Sequence, residues 1–139
     1  MTTSHKNKTC ATFLATAFGS IGLHRFYLAG LRDKWGWLHL ISLPLSLLAY
    51  MAWRQDQLVP FLFAPLVISG LVACIESLVI GLTPDDKWDA TYNPDSGKQS
   101  DSSWFVVLLV VLTLGIGAIA LIGAIARTFD LLLTGGAYG

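Results

Sequence analysis

The sequence predicts an all-α, multi-pass integral membrane protein with four transmembrane helices and a short interfacial helix in the third gap. Three observations predict it. Hydrophobic residues make up 54% of the 139-residue chain and charged residues only 13%, well off the balance of a soluble domain. The apolar residues collect in four runs, with the charges in the gaps between them. Tryptophans stand at the ends of those runs. Mean hydropathy is +0.61, and nine Lys plus Arg equal nine Asp plus Glu, so net charge argues for neither nucleic acid nor acidic lipid.

The runs cover residues 9–31, 35–53, 58–82 and 104–126. A helix needs roughly 20 apolar residues, at about 1.5 Å each, to cross a hydrocarbon core of about 30 Å. The last three meet that length. The first is interrupted by His24 and Arg25, and as a spanning helix it requires Lys8 and Arg25 to snorkel towards headgroups. A re-entrant or interfacial first segment is the alternative. Cleavage as a signal peptide at Ala15-Thr16-Ala17 fits poorly, because the apolar stretch before that site is too short.

Trp35 and Trp37 open the second run, Trp53 closes it and Trp104 opens the fourth, the placement expected of an interfacial belt. Pro44, Pro60 and Pro65 lie within runs, which membrane helices tolerate with a kink. Four spans put both termini on one side. The first and third gaps then carry Arg25, Arg32, Lys34, Lys87 and Lys98, against Lys6, Lys8, Arg54 and Arg127 opposite. That balance gives no vote, and only the density of three basic residues in the first gap leans slightly towards placing it in the cytoplasm.

The chain divides into a polar tail (1–8), a hairpin of the first two runs (9–53), a third span (54–82), a polar loop (83–103), a fourth span (104–126) and a C-terminal tail (127–139). In the loop, Thr83-Pro84-Asp85-Asp86 reads as a helix start, with Thr83 as cap and Pro84 in the first position. That helix sets Trp88 and Tyr92 on one face, fit to lie among headgroups. Asn93-Pro94-Asp95-Ser96-Gly97 ends it as a turn. A cation site at Asp85, Asp86 and Asp89 lacks a recognised loop spacing.

Small residues recur every four positions at Ala11, Ala15 and Gly19, and again at Ser69, Ala73, Ser77 and Gly81. Such ladders let helix backbones approach closely in lipid, within one chain or between copies. Gly117, Ala120, Gly123 and Ala124 form a looser version. Glu76 and His39 are ionisable groups inside runs. In an up-down order they lie on the same side, their depths differing by about 3 Å. His24 and Arg25 share that side, whereas Arg127 does not. The preferred reading is a clamp tying three helices through Glu76; a proton or ion path through Glu76 and His39, or a snorkelling Glu76, are the alternatives. Cys10 and Cys74 are placed at different depths, so a disulfide is not expected. His5, His24 and His39 have no metal-ligand spacing.

The stretch Gly19-Ser20-Ile21-Gly22-Leu23-His24-Arg25-Phe26-Tyr27-Leu28-Ala29-Gly30 resembles the signature of the TM-2 domain family, with Gly36 opening the next helix. The resemblance covers residues 6–53. It departs from the pattern at Ala29, and at Ser42-Leu43-Pro44-Leu45, where a Gly-rich stretch and an Asp are usual. Gly81 to Ala90, with Asn93-Pro94, is similar to bacterial members with extra helices. The resemblance implies a multi-pass membrane protein whose turn motif, Gly19, Gly22, His24, Arg25, Phe26, Tyr27 and Gly30, is an interaction site. Read from the residues, the glycines permit close packing and a sharp exit, Arg25 reaches phosphates or Glu76, and Phe26 and Tyr27 anchor at the interface. The expected function is non-enzymatic, without cofactor or metal: an assembly, scaffold or modulator component of the cell membrane. Its expected partners are the lipid bilayer and a membrane protein or second copy, not nucleic acid. The alternative is a proton- or ion-conducting oligomer using Glu76 and His39.

Overall fold

The computed structural model describes residues 5–53 and 62–137. Arg54, Pro60 and the start of the third run at Leu58 lie outside the described residues, as do Met1–Ser4. Among the described residues every regular element is helical: α1 (Lys8–Phe18), a 3-10 turn (Gly19–Ile21), α2 (Leu23–Ala29), α3 (Lys34–Trp53), α4 (Ala64–Leu82), α5 (Asp85–Tyr92) and α6 (Trp104–Thr134).

Three of these helices, α3, α4 and α6, are long and apolar enough to cross a bilayer. The expected fourth span is not there. Asn7 starts α1 by accepting the Cys10 N–H at 3.0 Å. Its 11 residues cover only roughly 16 Å at about 1.5 Å each. α1 gives way after Phe18 to the 3-10 turn, and that turn is ended by Gly22, which adopts φ 77, ψ 16, left-handed backbone that only glycine takes readily. The Gly22 N–H closes the 3-10 turn on the Gly19 carbonyl at 2.8 Å, and the Gly22 carbonyl opens α2 by accepting the Arg25 N–H at 3.0 Å. The chain has by then doubled back. The Asn7 N–H donates to the Tyr27 hydroxyl at 2.8 Å, and Lys6 Nζ donates to the Leu28 carbonyl. The first run is a re-entrant hairpin, and its turn comes from two glycines that a hydropathy average counts as neutral filler.

The ladders show how the hairpin is held. Gly19 lies so close to α4 that a Cβ there would stand 2.5 Å from the Ala73 Cβ. Thr16 Oγ1 meets both Ser77 Oγ of α4 and Thr113 Oγ1 of α6 at 2.8 Å. A Cβ on Gly81 would stand 2.4 Å from Val110 Cγ2. Ser69, Ala73 and Ser77 are all buried, as are Ala11 and Ala15. The two ladders are thus spent on packing within the chain. Gly117, of the looser α6 set, faces Cys74 of α4, whereas nothing lies near Gly123. α4 is antiparallel to α3 and to α6, so α1 starts at one end of the bundle and α6 finishes at the other. The first and last described residues thus lie at opposite ends, where four spans had placed both termini together.

α6 continues to Thr134, past the expected end at Ala126. Arg127 is paired with Asp130 one turn on, which neutralises the charge that marked the end of the run. Gly135 and Gly136, at φ 69 and 88, stop the helix. Pro65 lies in the first turn of α4, where its missing N–H costs nothing, and Pro44 is inside α3.

At the near end, α5 docks onto the N-terminal segment. Pro84, not Thr83, occupies the cap position of α5, because the Thr83 hydroxyl donates to the Val79 carbonyl and finishes α4. Trp88 and Tyr92 share a face, their rings 4.4 Å apart. Trp88 does not lie among headgroups: it is fully buried and packs in one cluster with Ala11, Ala15 and Ile80. Its indole N–H donates to the Lys6 carbonyl at 3.1 Å. The Asn93 amide grips the same residue twice, accepting from the Lys6 N–H at 2.7 Å and donating to its carbonyl at 3.1 Å. Lys8, instead of snorkelling, is 6% exposed and pairs with Asp85 at 2.9 Å.

The acids of α5 serve this dock. Asp89 accepts from the Asn93 amide and from the Ser100 hydroxyl and N–H, which hold its carboxyl down at about 2. Burial pushes Asp85 up, but hydrogen bonds from Ser102 and Lys8 outweigh it and leave the carboxyl below its ordinary value. Both folded values are depressed, so both carboxylates stabilise the dock above the ordinary Asp value of about 3.9, and this stability is lost as pH falls through the folded values. The Ser100 amide resonance is expected to titrate with a midpoint near pH 2 and to stop titrating in Asp89→Asn. A midpoint at the ordinary value would mean that these bonds are absent in solution.

Candidate functional site

Below that dock, the hairpin turn converges on one carboxylate. Because Gly22 reverses the chain, the first turn of α2 points His24 inward, where it is 1% exposed. Its Nε2 stands 2.6 Å from Glu76 Oε2 on α4. Arg25, next along, places Nη2 on Glu76 Oε1 and Nη1 3.9 Å from Asp33 Oδ2. From α3, His39 Nε2 reaches Glu76 Oε2 at 3.4 Å, while its Nδ1 stands 2.6 Å from Ser69 Oγ. Ser69 in turn donates to the Ser20 carbonyl in the 3-10 turn at 2.6 Å. The rings of His24 and His39 meet edge-on, with centroids 5.9 Å apart. Four elements therefore share one hydrogen-bonded ion cluster: the 3-10 turn, α2, α3 and α4.

Each position has a local reason. Asp33 caps α3, accepting the Trp35 N–H at 3.3 Å and the Gly36 N–H at 3.2 Å. That cap fixes where α3 starts and so brings His39 level with Glu76. Gly22 can lie against α3 because it has no side chain: a Cβ would stand 2.6 Å from the Gly36 carbonyl oxygen and 2.9 Å from the His39 Cβ. Gly36 likewise leaves room for Phe26, whose ring covers it and meets Trp37 edge-on at 5.5 Å. Gly30, at φ 75 and ψ −176, takes the bend after α2 in a backbone region that is essentially glycine's alone.

Of the residues singled out in the sequence, His24, Arg25, His39 and Glu76 are brought together. Gly19 and Gly22 frame them. Phe26 packs onto Gly36 and Trp37, and the Tyr27 hydroxyl accepts from the Asn7 N–H. Arg127 is far away and paired with Asp130. Sequence reasoning missed Asp33, whose signal was its place two residues before the second run. It also missed the hydroxyls of Thr12, Thr16 and Thr113, which resemble any other helix-borne threonines until packing sets them face to face. Among the described residues, no group of three or more His, Cys, Asp or Glu could hold a metal ion.

Residues 4–53 match the family model of the TM2 domain. The chain carries a TM2 domain. Comparison with curated proteins and with solved structures gives no match. The TM2 match runs from the N-terminal segment to the end of α3, so the re-entrant hairpin and the first spanning helix are the TM2 unit. α4 lies beyond it. Glu76, on which the His and Arg of the TM2 turn converge, is supplied from outside the matched segment. With its apolar spanning helices, this TM2-containing chain is a membrane protein.

Proposed function

We infer that the protein works without catalysis, as an assembly, scaffold or modulator component that contacts other membrane proteins or lipids through its TM2 turn. One observation carries this reading. His24 and Arg25 of the turn motif are spent on Glu76, while the bend that follows offers exposed Leu31, Arg32, Lys34 and Trp35 outward. An apolar residue, two cations and an indole side by side suit a surface at the membrane boundary. The motif then builds and locks the hairpin, and the bend makes the contact. A photo-crosslinking residue at Leu31 or Arg32, introduced in native membranes, is expected to give a discrete adduct that one at lipid-facing Val107 does not. Identical adduct patterns at all three positions would remove the bend as the contact surface.

A second reading, a proton- or ion-conducting oligomer, draws on the chain of contacts from Glu76 through His39 to Ser69. It requires pH-dependent flux in proteoliposomes that Glu76→Gln abolishes. Silent proteoliposomes together with a site-specific adduct favour the contact reading.

A further inference from the structure

The hydrogen bonds around His39 do not balance unless the cluster carries one more proton than its neutral rings and ionised acids supply. Ser69 Oγ is 2.6 Å from the Ser20 carbonyl oxygen, which can only accept, so the single hydroxyl hydrogen is committed there. The same oxygen is 2.6 Å from His39 Nδ1, so Nδ1 must carry a hydrogen and donate. In a neutral His39, Nε2 is then a bare lone pair. Yet Nε2 faces Glu76 Oε2 at 3.4 Å with the ring 5% exposed, a contact between two acceptors unless a proton lies between them. His24 needs no such help. A neutral ring with its hydrogen on Nε2 satisfies Glu76 at 2.6 Å and leaves Nδ1 as the acceptor, and Nδ1 is buried with no hydrogen-bond donor beside it among the described residues.

The charges give an independent count. Among the described residues, the ionisable groups that contact Glu76 besides His39 are His24 and Arg25 from α2, and Arg25 in turn stands 3.9 Å from Asp33 of the α2–α3 bend. Among them Glu76 and Asp33 bring two negative charges and Arg25 one positive. A single added proton makes the cluster neutral, the state that an apolar surrounding favours strongly over a net charge.

We propose that this cluster is a proton-binding site, holding one proton between His39 Nε2 and Glu76 Oε2 at neutral pH and up to about pH 8, above the ordinary imidazole range, as part of the lock on the re-entrant hairpin. The site needs no conduction, since a bound proton closes the charge balance in place. Nor does it depend on the bend as a contact surface. Removing the proton turns the third contact of Glu76 from attraction to repulsion, which ties the closure of the TM2 hairpin to proton occupancy.

The test is the ¹⁵N spectrum of histidine-labelled protein in nanodiscs at about pH 8, where a free imidazole of ordinary pKa about 6.5 is neutral, read with the infrared carbonyl band of Glu76. The expected result is a His39 protonated on both nitrogens, or a neutral His39 with hydrogen on Nδ1 beside a Glu76 that shows the band of a protonated acid. Either places the proton in the pair. A neutral His39 beside an ionised Glu76 overturns the proposal, as does a neutral His39 with its hydrogen on Nε2. In Glu76→Gln the amide N–H can itself donate to Nε2, so His39 is expected to become neutral with its hydrogen on Nδ1 alone. A His39 still doubly protonated in that variant would show that Glu76 has no share in the proton. Should Glu76→Gln not fold, the wild-type spectrum decides alone.

Discussion

Glu76→Ala is expected to destabilise the protein by about 3–5 kcal/mol, the usual cost of removing one partner from a buried ion pair and leaving the rest uncompensated. The substitution strips three partners at once. His24 at 1% and His39 at 5% exposure cannot find water in place of the carboxylate. Arg25, a third exposed, can swing outward, which pulls the loss towards the lower end of that range. Glu76→Gln keeps the side-chain shape and one acceptor, so it should cost less, about 1–3 kcal/mol for the groups left imperfectly paired. Unfolding in detergent micelles measures both. Because the four side chains act as one network, Arg25→Ala combined with Glu76→Ala should cost clearly less than the sum of the single losses. Full additivity, or a Glu76→Ala protein as stable as wild type, would mean that the cluster is not formed in the membrane-extracted protein.

The loss should also be local. The hairpin is joined to the remainder through Glu76, the Gly19–Ala73 contact, the hydroxyl cluster at Thr16 and the dock on Trp88 and Asn93. Cutting the first of these leaves the pairing of α4 with α6 untouched. Backbone amides of residues 19–29 should therefore lose hydrogen-exchange protection before those of α4, as expected of a segment that opens on its own.

Much of this arrangement was legible in the chain, and the parts that were not share a cause. Hydropathy located α3, α4 and the start of α6 because a spanning helix is defined by composition over a fixed length. The up-down order was enough to put His24, Arg25 and His39 at the level of Glu76 and to send Arg127 elsewhere. That inference survives the loss of one span, because a re-entrant hairpin returns its turn to the same depth that a full crossing would have given. What composition cannot report is backbone conformation. Gly19-Ser20-Ile21-Gly22 scores as mildly apolar whether it continues a helix or reverses it, and His24-Arg25 just after it was the available hint of a break. Charge pairing is equally hidden: Arg127 looks like the end of a span until Asp130 is placed against it. The dock on α5 depends on Lys6, more than eighty residues from Trp88 and Asn93 in sequence, and no local periodicity encodes that meeting.

Gly22→Ala tests the reversal itself. Two penalties fall on the same atom. A side chain at φ 77 costs about 1–3 kcal/mol of backbone strain. The new Cβ would also stand 2.6 Å from the Gly36 carbonyl oxygen and 2.9 Å from the His39 Cβ, an overpacking that costs about 1–3 kcal/mol more. Gly30 supplies the control, since its φ is 75 but nothing lies within 4 Å of the position its Cβ would take. Gly30→Ala should then show backbone strain without a clash. That strain is larger than the one at Gly22, because φ 75 with ψ −176 lies in a region open essentially to glycine alone, whereas Gly22→Ala adds the clash to a milder left-handed strain. The clash at Gly22 pushes on His39, so its NMR signals should shift in Gly22→Ala and stay in place in Gly30→Ala. His39 signals unmoved in Gly22→Ala would mean that α2 does not pack against α3 at Gly36. A neutral Gly22→Ala would mean that the first run continues straight as a helix, and Glu76 would then lose both of its partners from the TM2 turn.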